Sequence, residues 1–427
     1  MKNEKVVSKY FFLESSFFSN TLSIKYALSV LFNLYMFIVL FDVTRDGFFL
    51  PHIVNLAMSA IRDVSIYSLI IYILVSKKGK LLSKYNIFVI FMIFIPIVMN
   101  ITKICIGDFI EEGQNINFVI QFSILFAKSW LFLFVLHNLE VFYVFNKSNV
   151  MHNFIVIVLF IILFSFTVYF FLPGLRTRYI IANRVGLGNM SVQTGIYFSA
   201  FLLTFYFQPF ATKFRNAVAI FLFIIAIILS VTSTGIVSLL LALVCFLFDK
   251  RTKRKSIMII LFSSICIITI VIIYYDKFEP FFKYFWKKAE EFWDLFINLF
   301  NKKNHVTKSS SFGAREKQIA KFKESLTLDN CIFGFGYFSQ TTEMIENGYY
   351  AVFHDYGLYG LGIMLLILIR HGIWALIDFF KNKSILRIIS VLGVCLYCVT
   401  LSVAIIPSMA TAFMILFYYS FYEEWTI

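Results

Sequence analysis

The sequence predicts an all-α polytopic membrane protein: about twelve transmembrane helices and one large external loop containing short helices. Three observations predict it. Of the 427 residues, 60% are hydrophobic and 19% aromatic, while only 15% are charged, which is too apolar for a soluble domain. The apolar residues form long unbroken runs, such as FIVIVLFIILFSFTVYFFL (154–172) and SIMIILFSSICIITIVIIYY (256–275), each near the ~20 residues that cross hydrocarbon as a helix. The loops between the runs alternate in charge, as in a chain that threads back and forth across a bilayer.

The first twenty residues, MKNEKVVSKYFFLESSFFSN, have no continuous apolar core and no small-residue cleavage site, so a cleavable signal peptide is not expected. A ~19-residue window then places spans near 24–42, 53–76, 87–105, 118–146, 151–172, 191–208, 217–232, 235–249, 256–275, 351–369, 371–380 joined to 386–406, and 408–423. The piece 371–380 reads as the end of a helix or a lateral segment, and the last two spans turn at Pro407. The organisation is a block of spans over 1–275, a hydrophilic loop over 276–350, and C-terminal spans over 351–427.

Loop charge sets the expected orientation. One set of loops carries KKGKLLSK (77–84), Lys147, Lys213 with Arg215, DKRTKRK (249–255), and Arg370, Lys381, Lys383 and Arg387. The other carries GDFIEEGQN (107–115), VTSTG (231–235) and the Pro407 turn. Lys and Arg gather in cytoplasmic loops, so the first set and both termini are expected inside. The net charge of +14 is then largely a topology signal rather than a nucleic-acid footprint. Arg176, Arg178 and Arg184 break the pattern, because they fall in a short external loop, PGLRTRYIIANRVGLGNM (173–190).

The large loop opens with EPFFKYFWKKAEEFWDLFINLFNKK (279–303), an amphipathic pattern that places Trp286 and Trp293 at headgroup depth or packs a helix over the bundle mouth. SFGAREKQIAKFKESL (311–326) reads as a short helix with Arg315 in its first turn, and DNCIFGFGYF (329–338) breaks the chain at Gly334 and Gly336. His354 and Asp355 follow in VFHDYGLYGLG (352–362), where the chain re-enters the bilayer.

Charges also fall inside spans: Arg62 and Asp63 in the second, Lys103 in the third, Lys128 in the fourth. Each costs roughly 2.5–3.5 kcal/mol to insert and so faces a cavity or a partner. They form either a polar wall for a lipid pyrophosphate or glycan, to which Arg62 and Lys128 contribute, or an interhelical pair of Arg62 or Lys128 with Asp63. The six cysteines are scattered; Cys245, Cys266, Cys395 and Cys398 lie in apolar runs and read as small buried hydrophobes. No Asp-x-Asp occurs, so no metal and no cofactor are expected.

Arg184 is followed after ten intervening residues by Gly195, in RVGLGNMSVQTG; Arg315 precedes G-F-G; His354 stands at the return to the membrane. This order resembles the O-antigen polymerase and ligase superfamily, the Wzy-type membrane glycan polymerases, over about 151–370. The sequence departs from the family in two places: Leu326 stands where a second arginine-to-glycine spacing would put glycine, and Asp355 follows the histidine in place of asparagine. The resemblance implies a GT-C-like glycosyltransferase architecture in a bacterial inner membrane. It implies a metal-independent polymerase that transfers a growing glycan from undecaprenyl pyrophosphate to a hydroxyl of an incoming lipid-linked repeat. Its implied partners are that lipid-linked oligosaccharide, membrane lipid and a chain-length regulator protein.

The residue types suit that chemistry. Guanidinium groups grip pyrophosphate oxygens bidentately and stay charged, so Arg184 and Arg315 are the expected donor-binding and leaving-group residues, with Arg176 and Arg178 assisting. Histidine is the side chain suited to take a hydroxyl proton near neutral pH, which makes His354 the expected base and Asp355 its neighbour in the site. The glycines after His354 (Gly357, Gly360 and Gly362) are expected to let the helix mouth come close to neighbouring backbone or to the glycan. Gly334 and Gly336 are expected to permit tight backbone geometry, and Gly195, Gly334 and Gly336 to belong to the substrate-binding set. The alternatives are a ligase transferring the glycan to lipid A core, and a lipid-linked oligosaccharide flippase, although a flippase should show repeat-related halves.

Overall fold

In a computed structural model, the structure describes residues 7–46, 50–76, 84–106, 130–140, 147–172, 190–230, 232–248, 320, 322–324, 326–334, 348–382, 385–400 and 407–421, together with Glu279, Lys283, Trp286 and Glu290. Among the described residues 93% are helical and none is in a strand. That is what a membrane-embedded backbone requires, since each helix pairs its N–H and C=O groups within itself.

The helices are α1 (Val7–Asp46), α2 (His52–Ser76), α3 (Lys84–Ile106), α4 (Trp130–Glu140), α5 (Lys147–Phe171), α6 (Met190–Phe207), α7 (Lys213–Leu229), α8 (Ser233–Phe248), α9 (Leu328–Phe333), α10 (Gly348–Asn382), α11 (Leu386–Thr400) and α12 (Pro407–Ser420). Among the described residues, four stretches are long and apolar enough to cross a membrane: Ile24–Asp42, His52–Ser76, Asn149–Phe171 and Tyr356–Lys381. Five more apolar helices are shorter, Trp130–Glu140, Val192–Phe207, Thr234–Leu247, Leu386–Cys398 and Ser408–Ser420. The protein is therefore a helical membrane protein.

These apolar helices overlie the expected spans, although the span expected at 118–146 is described only over 130–140. Residues 371–380 continue α10 to Asn382, as the end of a helix rather than a lateral segment. The expected span at 256–275 lies outside the described residues. In the large loop Glu279, Lys283, Trp286 and Glu290 are helical, with a 2.9 Å ion pair from Lys283 to Glu279 one turn apart and Trp286 exposed.

Helix boundaries follow local chemistry. Pro51 precedes α2 and its carbonyl accepts from Val54 N and Asn55 N. Thr212 caps α7 by accepting from Arg215 N at 3.3 Å, and Thr232 caps α8 by accepting from Gly235 N at 3.2 Å, the N-cap role in which threonine is favoured. Proline opens α12, where its missing N–H costs nothing.

α6 is the centre of the bundle. It packs against α1, α5, α7, α8, α11 and α12, and every residue from 192 to 205 is buried. Its polar side chains turn onto its own backbone: Ser199 Oγ donates to Gly195 O and Thr204 Oγ1 to Ala200 O. Around it aromatic rings interlock, with Phe205 stacked on Phe246 at 4.1 Å and Tyr397 meeting Phe198 and Phe413.

Polar contacts gather at the two ends of this apolar middle. At one end Gln193 Nε2 donates to Thr44 Oγ1, Thr232 Oγ1 donates to Thr194 Oγ1, and Tyr349 OH donates to Cys395 O. These bonds bring together the last turns of α1 and α11 and the first turns of α6, α8 and α10. At the other end the buried Glu140 accepts from Tyr418 OH at 2.9 Å and Tyr419 OH at 2.7 Å. His137 Nδ1 lies 3.3 Å from the same Tyr418 hydroxyl, and Asn86 and Asn138 exchange side-chain bonds beside it. Nearby, Arg387 Nε donates to Ser420 O, closing the last turn of α12.

Each Glu140 oxygen thus has its own tyrosine donor. Tyr418→Phe and Tyr419→Phe are each expected to destabilise the chain by about 1–3 kcal/mol, and the double variant by a non-additive amount. Thermal unfolding of the detergent-solubilised variants, followed by size-exclusion profile, checks this.

Candidate functional site

The stretch that carries the candidate base, VFHDYGLYGLG, contains a break. α10 leaves helical geometry at Gly357, with φ 62° and ψ −160°, a region open essentially to glycine. The helix is therefore two pieces, a short one over 348–356 and the long apolar one from 358 onward.

The break is occupied by backbone. A Cβ on Gly357 would stand 2.5 Å from Gly334 N and closer still to the Ile332 carbonyl. Gly334 follows directly after α9 with φ 77°, the left-handed residue that commonly ends a helix. Two glycines of the sequence meet each other: Gly334, at the end of α9, docks backbone on backbone in the break at the mouth of α10.

His354 sits on the short piece and is only 6% exposed. The ring of Phe322, itself buried, stands edge-on to the imidazole at 5.5 Å and also meets Tyr350 and Phe353. Residues 350, 353 and 354 are three and four apart, hence on one helical face, and the helical turn at 322–324 lies on that face. Tyr349, on another face, ties the short piece to α11 through its bond to Cys395 O at 3.1 Å. Burial pushes the Tyr349 phenol well up, so its hydroxyl stays a neutral donor. His354 is thereby held between a loop helix on one side and the bundle on the other.

Gly195 has a packing task. A Cβ there would lie 3.3 Å from Met409 Cγ and from Phe413 Cε2, so the glycine lets α6 approach α12 closely, as small residues do between membrane helices. The first turn of α6, which carries the end of the Arg184-to-Gly195 motif, is held to α1 through Thr44 and to α8 through Thr232.

Arg62 joins α2 to α1. Its Nη1 is 2.8 Å from Asp42 Oδ2 and its Nε 2.9 Å from Asp63 Oδ1. Arg45 Nη2 takes the other Asp42 oxygen at 3.1 Å, while its Nη1 donates to Asn55 O and Ser59 Oγ at 3.3 and 3.4 Å. Sequence reasoning paired Arg62 with Asp63 and missed Asp42 and Arg45. The available signal was Asp42 with Arg45 one turn on, at the end of an apolar run and in need of partners.

The candidate residues therefore stand on three helix packings at one end of the bundle. His354 and Gly334 lie where α10 meets α9 and the loop helix, Gly195 where α6 meets α12, and Arg62 where α1 meets α2. Arg176, Arg178, Arg184, Arg315, Gly336 and Lys128, and the side chain of Asp355, lie outside the described residues. No protein-family model matches the chain, and no curated protein matches its sequence.

Gly357→Ala is expected to cost at least ~2 kcal/mol, from backbone strain and from collision with α9. Gly362→Ala, where an added Cβ meets nothing within 4 Å, is expected to be neutral or slightly stabilising. The unfolding midpoints of the two variants, measured side by side in detergent, test whether the break belongs to the fold.

Proposed function

We propose that the chain is a membrane glycan polymerase. It transfers a growing glycan from an undecaprenyl-pyrophosphate-linked donor to a hydroxyl of an incoming lipid-linked repeat. The end of the bundle that carries His354 faces outward from the cytoplasmic membrane, and both termini face inward.

One observation carries the reading. The helix mouth that bears His354 and the end of α9 are docked together through Gly357 and Gly334. The chain also presents Arg184-to-Gly195, Arg315, G-F-G and His354 in the order that the resemblance requires. His354 takes the proton of the acceptor hydroxyl as its oxygen bonds to the anomeric carbon of the donor. The anomeric C–O bond to phosphate breaks, and the pyrophosphate leaves with the electron pair. Arg184 and Arg315 stabilise the charge that grows on it. Phe322 covers one side of the imidazole, so the hydroxyl comes in along another and bulk water is kept from the base.

Deleting the gene in its host and resolving the surface polysaccharide by gel tests the class. A single repeat in place of a ladder is expected. Ladder material stranded on the carrier lipid would point instead to the ligase, and absence of external glycan to the flippase. Arg184→Ala and His354→Ala are each expected to lower polymerised material by at least about a hundredfold at wild-type protein level. Full ladders from both variants would remove these residues from the chemistry.

A further inference from the structure

The α1–α2 pair holds a cluster, built on Arg62, that the proton-transfer and leaving-group steps above do not use. Two guanidinium groups, one from each helix, converge on a single carboxylate: Arg62 takes one oxygen of Asp42 and Arg45 the other. We propose that this is a phosphoryl-binding site, in which Arg45 and Arg62 grip the oxygens of a phosphate-bearing head group and Asp42 is the internal carboxylate that those oxygens displace.

Geometry supports it first. Guanidinium groups suit carboxylate and phosphate oxygens alike. Arg62 donates to Asp42 Oδ2, while Arg45 Nη2 lies 3.1 Å from Oδ1 as an ion-pair neighbour without a hydrogen bond to it, an oxygen position that a phosphoryl group would fill between the two cations. The forks are held from behind. Arg62 keeps its Nε on Asp63, and Arg45 keeps its Nη1 on the Asn55 carbonyl and the Ser59 hydroxyl. Asp42 can therefore turn away while both arginines stay in place, and preorganisation of this kind is what makes an anion site effective.

Access comes next. The cluster is partly open on its carboxylate side: the Asp42 side chain is 20% exposed and Asp63 35%, while Asp42 Oδ1 and the two arginines, at 12–15%, are largely covered. The chemistry of its surroundings points to a lipid. Ile61 and Val64, which flank Arg62 and Asp63, are exposed, as are Ile71 and Leu74 further along α2. Apolar surface thus runs from the charged cluster down the helix, as a head group with an attached acyl or prenyl chain would require. The cluster also lies at the end of the bundle that carries His354, two residues from the Thr44–Gln193 bond.

A network that only held α1 to α2 would behave differently. Removing a carboxylate from it would weaken the fold and leave ligand retention unaltered. In a phosphoryl site the same change removes the competing anion. The site stands on the α1–α2 geometry and not on the polymerase reading, so the two can fail separately.

The full chain, purified in detergent, is assayed by native mass spectrometry against undecaprenyl pyrophosphate, phosphatidylglycerol and inorganic pyrophosphate. Wild type is expected to retain at least one probe. Arg45→Gln is expected to weaken retention tenfold or more, Arg45→Lys to weaken it less, since it keeps the charge without the fork, and Asp42→Asn to strengthen it severalfold. Retention of the polyprenyl probe alone identifies a carrier lipid, of both lipids a general head group, and of inorganic pyrophosphate the free anion. Failure of wild type to retain any probe overturns the proposal. So does retention that Arg45→Gln and Asp42→Asn leave unchanged, or that both lower equally.

Discussion

A charge carried into a lipid-embedded bundle has to bring its counter-charge with it, and the junction of α1 and α2 shows what that does to a fold. Arg62 alone would cost roughly 2.5–3.5 kcal/mol to place in a span. Paired with Asp63 on its own helix and Asp42 on the next, it fixes the height at which α1 and α2 pack. Glu140 does the same at the other end, where it joins α4 to α12 through two tyrosines. Between these polar knots α6 satisfies its hydroxyls on its own turns. The middle of the bundle can then be aromatic and dry, and polar work is confined to the ends.

The mouth of α10 solves a second problem, that of holding a polar side chain still where a helix leaves the core. A continuous helix would direct its first turns along the span axis. The break at Gly357 separates the short piece from that axis, and the end of α9 fills the gap with backbone. Phe322 then covers residues 350, 353 and 354 while Tyr349 anchors the opposite side to α11. Neither contact requires a charge. The position of His354 is set by shape, by aromatic packing and by one neutral hydrogen bond.

The spans were legible because long apolar runs have few alternatives: the runs at 24–42 and 191–208 correspond to a span at Ile24–Asp42 and a helix at Met190–Phe207. Arg370 and His371 look like the end of a span, which left 371–380 open between the end of a helix and a lateral segment. The helix absorbs both, since His371 Nδ1 donates to Ile367 O and Arg370 lies 4.2 Å over the Trp374 ring. Of the three glycines after His354 that were read as places of close approach, Gly357 meets neighbouring backbone while Gly362 has open space beside it. What approaches was not legible, since the docking of Gly334 on Gly357 joins residues more than twenty positions apart. The partner of Arg62 was hidden for the same reason: sequence gives the order of residues along a helix but not the relative height of two helices. Gly195 shows that a motif glycine and a packing glycine carry the same letter; here the packing against Met409 and Phe413 is visible.

The two ends of the bundle hold their polar groups differently. At the Glu140 end the polar groups face one another: each carboxylate oxygen has a tyrosine, and Arg387 closes on Ser420 O and the Asp378 carboxylate with both ionic side chains nearly covered. Such a set stabilises helix packing and leaves little for a ligand to exchange with. At the other end Asp63 is a third exposed, Asp42 is shared by two arginines, and His354 is held by ring edges. The two ends thus differ in kind: one is a set of tyrosine–carboxylate and arginine–carboxylate bonds, the other an ion cluster between α1 and α2 beside an aromatic cover over His354.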